Sequence, residues 1–181
     1  MEGRAASRWR CGLSAVALLL VALPVEAHPV PFSFLDLQRT ATGLEASLIL
    51  HDFDLAHDLG IEPADRLRDP AFLAERASSL RALMTARLQI AADGTTLTTE
   101  WGEPEILNER QAIRFPLHFP IAAAPGKVKV TAQMFPYDPT HQTFVNIYED
   151  GELTRQVLLN RNQTSTEHVF GTRQEIGRAH V

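Results

Sequence analysis

The chain has 181 residues, 45% of them hydrophobic, with 17 basic and 22 acidic side chains and a formal net charge of −5. That is enough length and apolar content for one ordinary core, while the acidic balance argues against nucleic acid or anionic lipid as a partner. The single cysteine, Cys11, falls within the N-terminal leader described next, so no disulfide framework is expected.

Residues 1–27 read as a cleavable secretory signal. Arg4, Arg8 and Arg10 face a single acid, Glu2, and an apolar run follows from Gly12 to Leu23. That run is shorter than the about 20 residues a membrane-spanning helix needs. Pro24 ends it, and Val25-Glu26-Ala27 places small residues at the cleavage positions. Export is therefore expected, with His28 as the mature N-terminus. Removing the leader leaves 14 basic and 20 acidic residues, a net of −6.

The mature region, residues 28–170, predicts a mainly β domain. Pro31 to Thr40 has a strand pattern, Thr42-Gly43 a turn, and Leu44, Ala46, Leu48 and Leu50 repeat at period two. His51 to Gly60 is polar and acidic, with Gly60 a helix terminator. Asp69 and Pro70 open a helix as N-cap and first helical residue, with Phe72, Leu73, Leu80, Leu83 and Met84 as its apolar stripe. Strands are expected over Ala86–Ala92, Thr95–Trp101, Ala112–Phe119, Lys127–Phe135, Thr143–Tyr148, Leu153–Leu159 and Glu167–Phe170. Asp93-Gly94 and Asp150-Gly151 mark tight hairpins, and Pro116 suggests an edge strand or bulge. Short strands at regular spacing predict an Ig-like antiparallel β-sandwich with a helical insertion between the second and third strands.

The densest polar constellation is His51, Asp52, Asp54, His57 and Asp58. Imidazole with carboxylate suits nickel, zinc or copper, and a helix after Asp54 would put Asp54 on one face with His57 or Asp58. The plainer alternative is that Asp52 or Asp54 caps the helix and the others are solvated. His28 offers an α-amine and an imidazole together. A β-sandwich whose mature chain starts with His is similar to periplasmic copper carriers and histidine-brace oxygenases, which need a second His; His51, His57, His118 and His141 are the candidates. Asp138 and His141 share a loop and can approach each other, although Tyr137-Asp138-Pro139 is also ordinary turn chemistry. No nucleophile–base arrangement or phosphate loop is visible, so no enzyme is expected.

Several blocks together carry a resemblance. They are His28–Leu37, His51–Gly60, Phe135–Pro139 with His141-Gln142-Thr143, Val145–Glu149 and Phe170–Gln174. These blocks resemble the extracytoplasmic region of HupE/UreJ-type proteins, which are hydrogenase and urease accessory membrane proteins, some of them nickel permeases. The resemblance implies a domain that precedes a bundle of transmembrane helices and assists nickel or other transition-metal handling. Its partners would be its own transmembrane domain or another membrane protein. Residues 171–181 are then the start of a linker plus a tail. The tail Ile176–Val181 is the in-frame translation of ATC GGA AGA GCA CAC GTC, the start of a common sequencing adapter. It is expected to be a read-through artefact, with the natural chain continuing past Gln174. Two rival expectations stand beside this one: a self-contained periplasmic copper- or nickel-binding β-sandwich, and a structural or interaction module that docks through its acidic loop.

Overall fold

Leu35 and Leu37 on the first strand, with Leu44, Leu48 and Leu50 on the second, lose all solvent exposure. Their period-two spacing therefore drives the first hairpin onto a core, each such side chain contributing about 1.5–3 kcal/mol. The structure, a computed structural model, describes residues 32–171. The expected leader, His28 and the tail from Thr172 onward lie outside the described residues.

The elements are β1 (Phe32–Thr40), β2 (Gly43–His51), α1 (Asp52–Leu59), a 3-10 turn (Ala64–Arg68), α2 (Pro70–Arg87), β3 (Leu88–Ala92), β4 (Thr95–Thr96) and β5 (Glu100–Trp101). They continue with β6 (Glu105–Leu107), β7 (Ala112–Pro120), β8 (Lys127–Ala132), β9 (Gln142–Glu149), β10 (Glu152–Leu159) and β11 (Ser165–Val169). The larger sheet runs β10-β9-β1-β2-β7-β5, with β6 also on β7, and the smaller runs β11-β8-β3-β4. Leucines of β1 and β2, Val128 and Val130 of β8, and Leu73, Leu80 and Met84 of α2 share one core. The fold is a mainly β sandwich, and both α-helices lie between its second and third strands.

Four expectations need correction. The sheets are not wholly antiparallel, because β1 pairs with β9 in parallel, Ser33 opposite Thr143 and Leu35 opposite Val145. β7 is not an edge: Pro116 faces Ser47 of β2 on one side, and on the other its carbonyl accepts from Gly102 N at 2.9 Å. The proline fits because its missing N–H falls in the gap between β5 and β6, which pair with residues on either side of it. Thr95–Trp101 is not one strand. It divides into β4 and β5, which belong to different sheets. β8 stops at Ala132, and 133–141 leaves the sheet as a loop.

The turns follow their sequence chemistry. Asp93 and Gly94, like Asp150 and Gly151, all have positive φ, as two-residue hairpins require. Gly43 opens β2 at φ 154°, and a Cβ added there would run into the carbonyl oxygen of Phe119. Gly43→Ala is therefore expected to destabilise the domain by about 1–3 kcal/mol. Urea unfolding checks this; an unchanged midpoint would contradict the close approach of β2 to β7.

Candidate functional site

α1 is built by its own polar residues. His51 is its N-cap, its Nδ1 accepting from Phe53 N at 3.3 Å, and Asp52 and Asp54 occupy the first turn, where carboxylates favour the helix dipole. Gly60, at φ 62°, closes the other end, and Ile61 N returns to Ala56 O at 2.9 Å. The cap is thus His51, neither Asp52 nor Asp54. Leu55 and Ala56 anchor the helix in the core.

The three aspartates of α1 then go to three different partners. Asp52 is buried and sits 2.9 Å from Nε of Arg68 and 3.1 Å from Nδ1 of His51. Since that Nδ1 already serves as an acceptor for the helix, Arg68 is the counter-ion that matters. Asp58 pairs with the Arg87 guanidinium, which also donates to the carbonyl of Met134. That arginine fastens α1 to the end of α2 and to the start of the 133–141 loop.

Among the described residues Asp54 has no such arginine. Its Oδ1 accepts from the Tyr137 hydroxyl at 2.6 Å, and its Oδ2 lies 3.8 Å from Nδ1 of His141. Partial burial of Tyr137 pushes its phenol well above the ordinary range, and the hydrogen bond to Asp54 and the charges of Asp54, Asp58 and Asp138 push it further. It is a neutral donor at any physiological pH. His57, half-exposed, stacks on the Tyr137 ring with centroids 3.7 Å apart and planes 20° apart.

His141 enters the cluster from the loop before β9. It is 6% exposed, its ring edge meets Phe135 at 4.8 Å, and its Nε2 is 3.2 Å from Ser33 Oγ. Ser33 in turn is 2.8 Å from Thr143 Oγ1. Nδ1 of His141 is buried with no hydrogen-bond partner. The loop is shaped by Asp138, whose carboxylate accepts from the amide and hydroxyl of Thr140 at 2.8 and 2.7 Å. A cleft of about 160 Å³ opens beside His141, lined also by Phe135, Pro136, Asp138, Asn160 and Arg161.

The structure therefore gathers Asp54, His57, Asp58 and His141 around Tyr137. It sends His51 and Asp52 to capping and to Arg68, and His28 lies outside the described residues. His118 on β7 is remote, its Nδ1 2.7 Å from Glu45 of the neighbouring β2. Among the described residues no group of three or more His, Cys, Asp or Glu side chains is placed to hold a metal ion. Tyr137, Ser33, Thr143 and Arg87 are the members sequence reasoning missed. Ser33 had a signal, because it shares the inward phase of Leu35 and Leu37, and Thr143 likewise shares that of Val145 and Ile147. A polar residue in an apolar phase marks a buried hydrogen bond.

No protein-family model and no curated protein matches the chain.

The buried imidazole makes stability depend on pH. Burial holds His141 below its ordinary value, against the opposing pull of Asp54, Asp138 and Asp58. In the unfolded chain the ring titrates near about 6.5, so as pH falls past that value the unfolded state takes up the proton first. The His141 contribution is constant above the unfolded pKa and is lost progressively toward the lower folded one. With chelator present, urea midpoints measured from about pH 7.5 to about pH 5 should fall in the wild type and fall less in His141→Gln. Equal pH slopes in the two proteins would contradict this.

Proposed function

We propose that this chain is the non-enzymatic extracytoplasmic domain of a HupE/UreJ-type membrane protein, serving the handling of nickel or another transition metal outside the cytoplasm. The observation that carries the reading is the convergence of the resembling blocks. Residues Phe32–Leu37 of the first block lie in β1, and the block from Val145 to Glu149 lies beside them on β9. His51–Gly60 forms the cap and body of α1, and Tyr137 of the Phe135–Pro139 block donates to Asp54 of that helix. Gly171, in the last block, donates its amide to Glu149 Oε2 at 2.8 Å. Segments that carry one resemblance while far apart in sequence are in contact in the folded domain.

Polarity along the sandwich supports the same reading. His141 precedes the start of β9, and Gly171 is bound at its end. A strand of this length separates the two by roughly 25 Å. In a chain that continues from Gly171 into the membrane, the Asp54–Tyr137–His141 cluster would face away from the bilayer, toward incoming solutes. Glu149 is suited to hold that exit point. Burial works to raise its pKa, but the Gly171 amide, His168 and Arg39 outweigh it and keep the carboxylate ionised. Among the described residues no helix is long and apolar enough to cross a membrane, so the reading assigns transport to another part of the protein.

Reading the source DNA beyond the codon for Gln174 tests this directly. The expected result is an open frame that runs on into several apolar segments of about 20 residues each. A stop codon without such segments would refute the reading.

A further inference from the structure

We propose that His141 Nδ1 and Asp54 Oδ2 are the two protein ligands of a divalent transition-metal site, deepening the proposed metal-handling role by naming its atoms.

One orphaned buried nitrogen and the carboxylate oxygen that faces it carry the assignment. With its ring hydrogen on Nε2, His141 donates to Ser33 Oγ at 3.2 Å, and Ser33 is itself tied to Thr143 at 2.8 Å. That leaves a lone pair on Nδ1, and Nδ1 is buried without a partner. Facing it at 3.8 Å is Asp54 Oδ2, a carboxylate oxygen whose sister Oδ1 is already held by the Tyr137 hydroxyl. A lone pair and a carboxylate oxygen turned toward each other at that distance repel rather than bind. With the hydrogen on Nδ1 instead, 3.8 Å is still too long for a hydrogen bond. With His141 in either neutral form, Asp54 is a buried carboxylate with a neutral donor and no cation among the described residues, unlike Asp52 with Arg68 and Asp58 with Arg87. Such a charge is costly until a cation arrives.

A metal ion supplies that cation. Donors 3.8 Å apart, each bound at about 2.0–2.1 Å, would subtend roughly 130–145° at the ion, and closing by about 0.4 Å brings this near the tetrahedral angle. Imidazole nitrogen with carboxylate oxygen selects zinc, nickel or cobalt over calcium and magnesium. The surroundings are those of ligating groups. A metal-binding histidine donates its other ring N–H to a fixed acceptor, and a ligating carboxylate is held by a further hydrogen bond. Ser33 fills the first role and Tyr137 the second. The site lies close to solvent, since Tyr137, which holds the carboxylate, and His57, which stacks on it, are both partly exposed. With only two protein donors, the remaining positions fall to water or to ligands the ion brings with it, as suits a site that passes its ion on.

Zn²⁺ titrated into the purified chain tests the assignment, read by calorimetry and by NMR of the histidine ring nitrogens. The expected result is one saturable equivalent that shifts Nδ1 of His141. Asp54→Asn and His141→Gln should each weaken binding at least tenfold, and His118→Ala should leave it unchanged. Tyr137→Phe keeps both donors and should cost about tenfold through the lost support of the carboxylate. Binding that survives Asp54→Asn and His141→Gln, or that disappears with His28→Ala, overturns the assignment. So does a wild-type spectrum in which His141 stays still, a readout that does not depend on any variant folding. Failure here leaves the membrane-protein reading intact, since that stands on the downstream DNA.

Discussion

Parallel pairing of β1 with β9 is the constraint on which the rest of the molecule depends. It joins the first strand of the sandwich to one more than 100 residues later, setting Phe32 opposite Gln142 and Gln38 opposite Tyr148. Inside the pair, Leu35, Leu37, Val145 and Ile147 are fully buried. At its upper end the same inward phase brings Ser33 and Thr143 together, two hydroxyls that would be costly to bury singly and that satisfy each other. Because β2 runs back beside β1, its end at His51 comes level with the start of β9. The register therefore delivers α1 and the 133–141 loop to the same end of the sandwich, where Asp54 and Tyr137 meet.

Charge on α1 explains why that meeting point has chemistry and its neighbours do not. Three buried or nearly buried carboxylates occur on an eight-residue helix. Two are neutralised by arginines from other segments, which turns them into struts: Arg68 ties the helix to the following turn, and Arg87 ties it to α2 and the loop. Breaking either would strand a charge in low dielectric. Asp54 alone is held by a phenol and faces an imidazole with a free nitrogen. The same residue types thus take structural roles at two positions and leave an open electrostatic demand at the third.

Much of the framework was legible because it rests on local rules. Asp69 with Pro70, Gly60, and the Asp-Gly hairpins act through the backbone of their own few residues. Period two placed the inner face of β2. What sequence could not provide was non-local pairing. Nothing in β1 or β9 says that they run parallel, and Pro116 read as an edge signal because the gap between β5 and β6 exists only in three dimensions. The polar cluster was legible as a set of residue types, and its division was not. Which aspartate meets Arg68, which meets Arg87 and which meets Tyr137 depends on elements up to 83 residues away. Tyr137 itself was hidden inside an ordinary turn motif, and Ser33 and Thr143 were missed although each is a polar residue in an apolar phase.

The central claim is that Asp54 and Tyr137 form a direct hydrogen-bonded link between α1 and the 133–141 loop. A double-mutant cycle on unfolding free energy, using Asp54→Asn, Tyr137→Phe and the pair, measures that link alone. A hydrogen bond to an ionised carboxylate predicts a coupling of about 1.5–3 kcal/mol. Additive single effects, with coupling under about 0.3 kcal/mol, would contradict the claim.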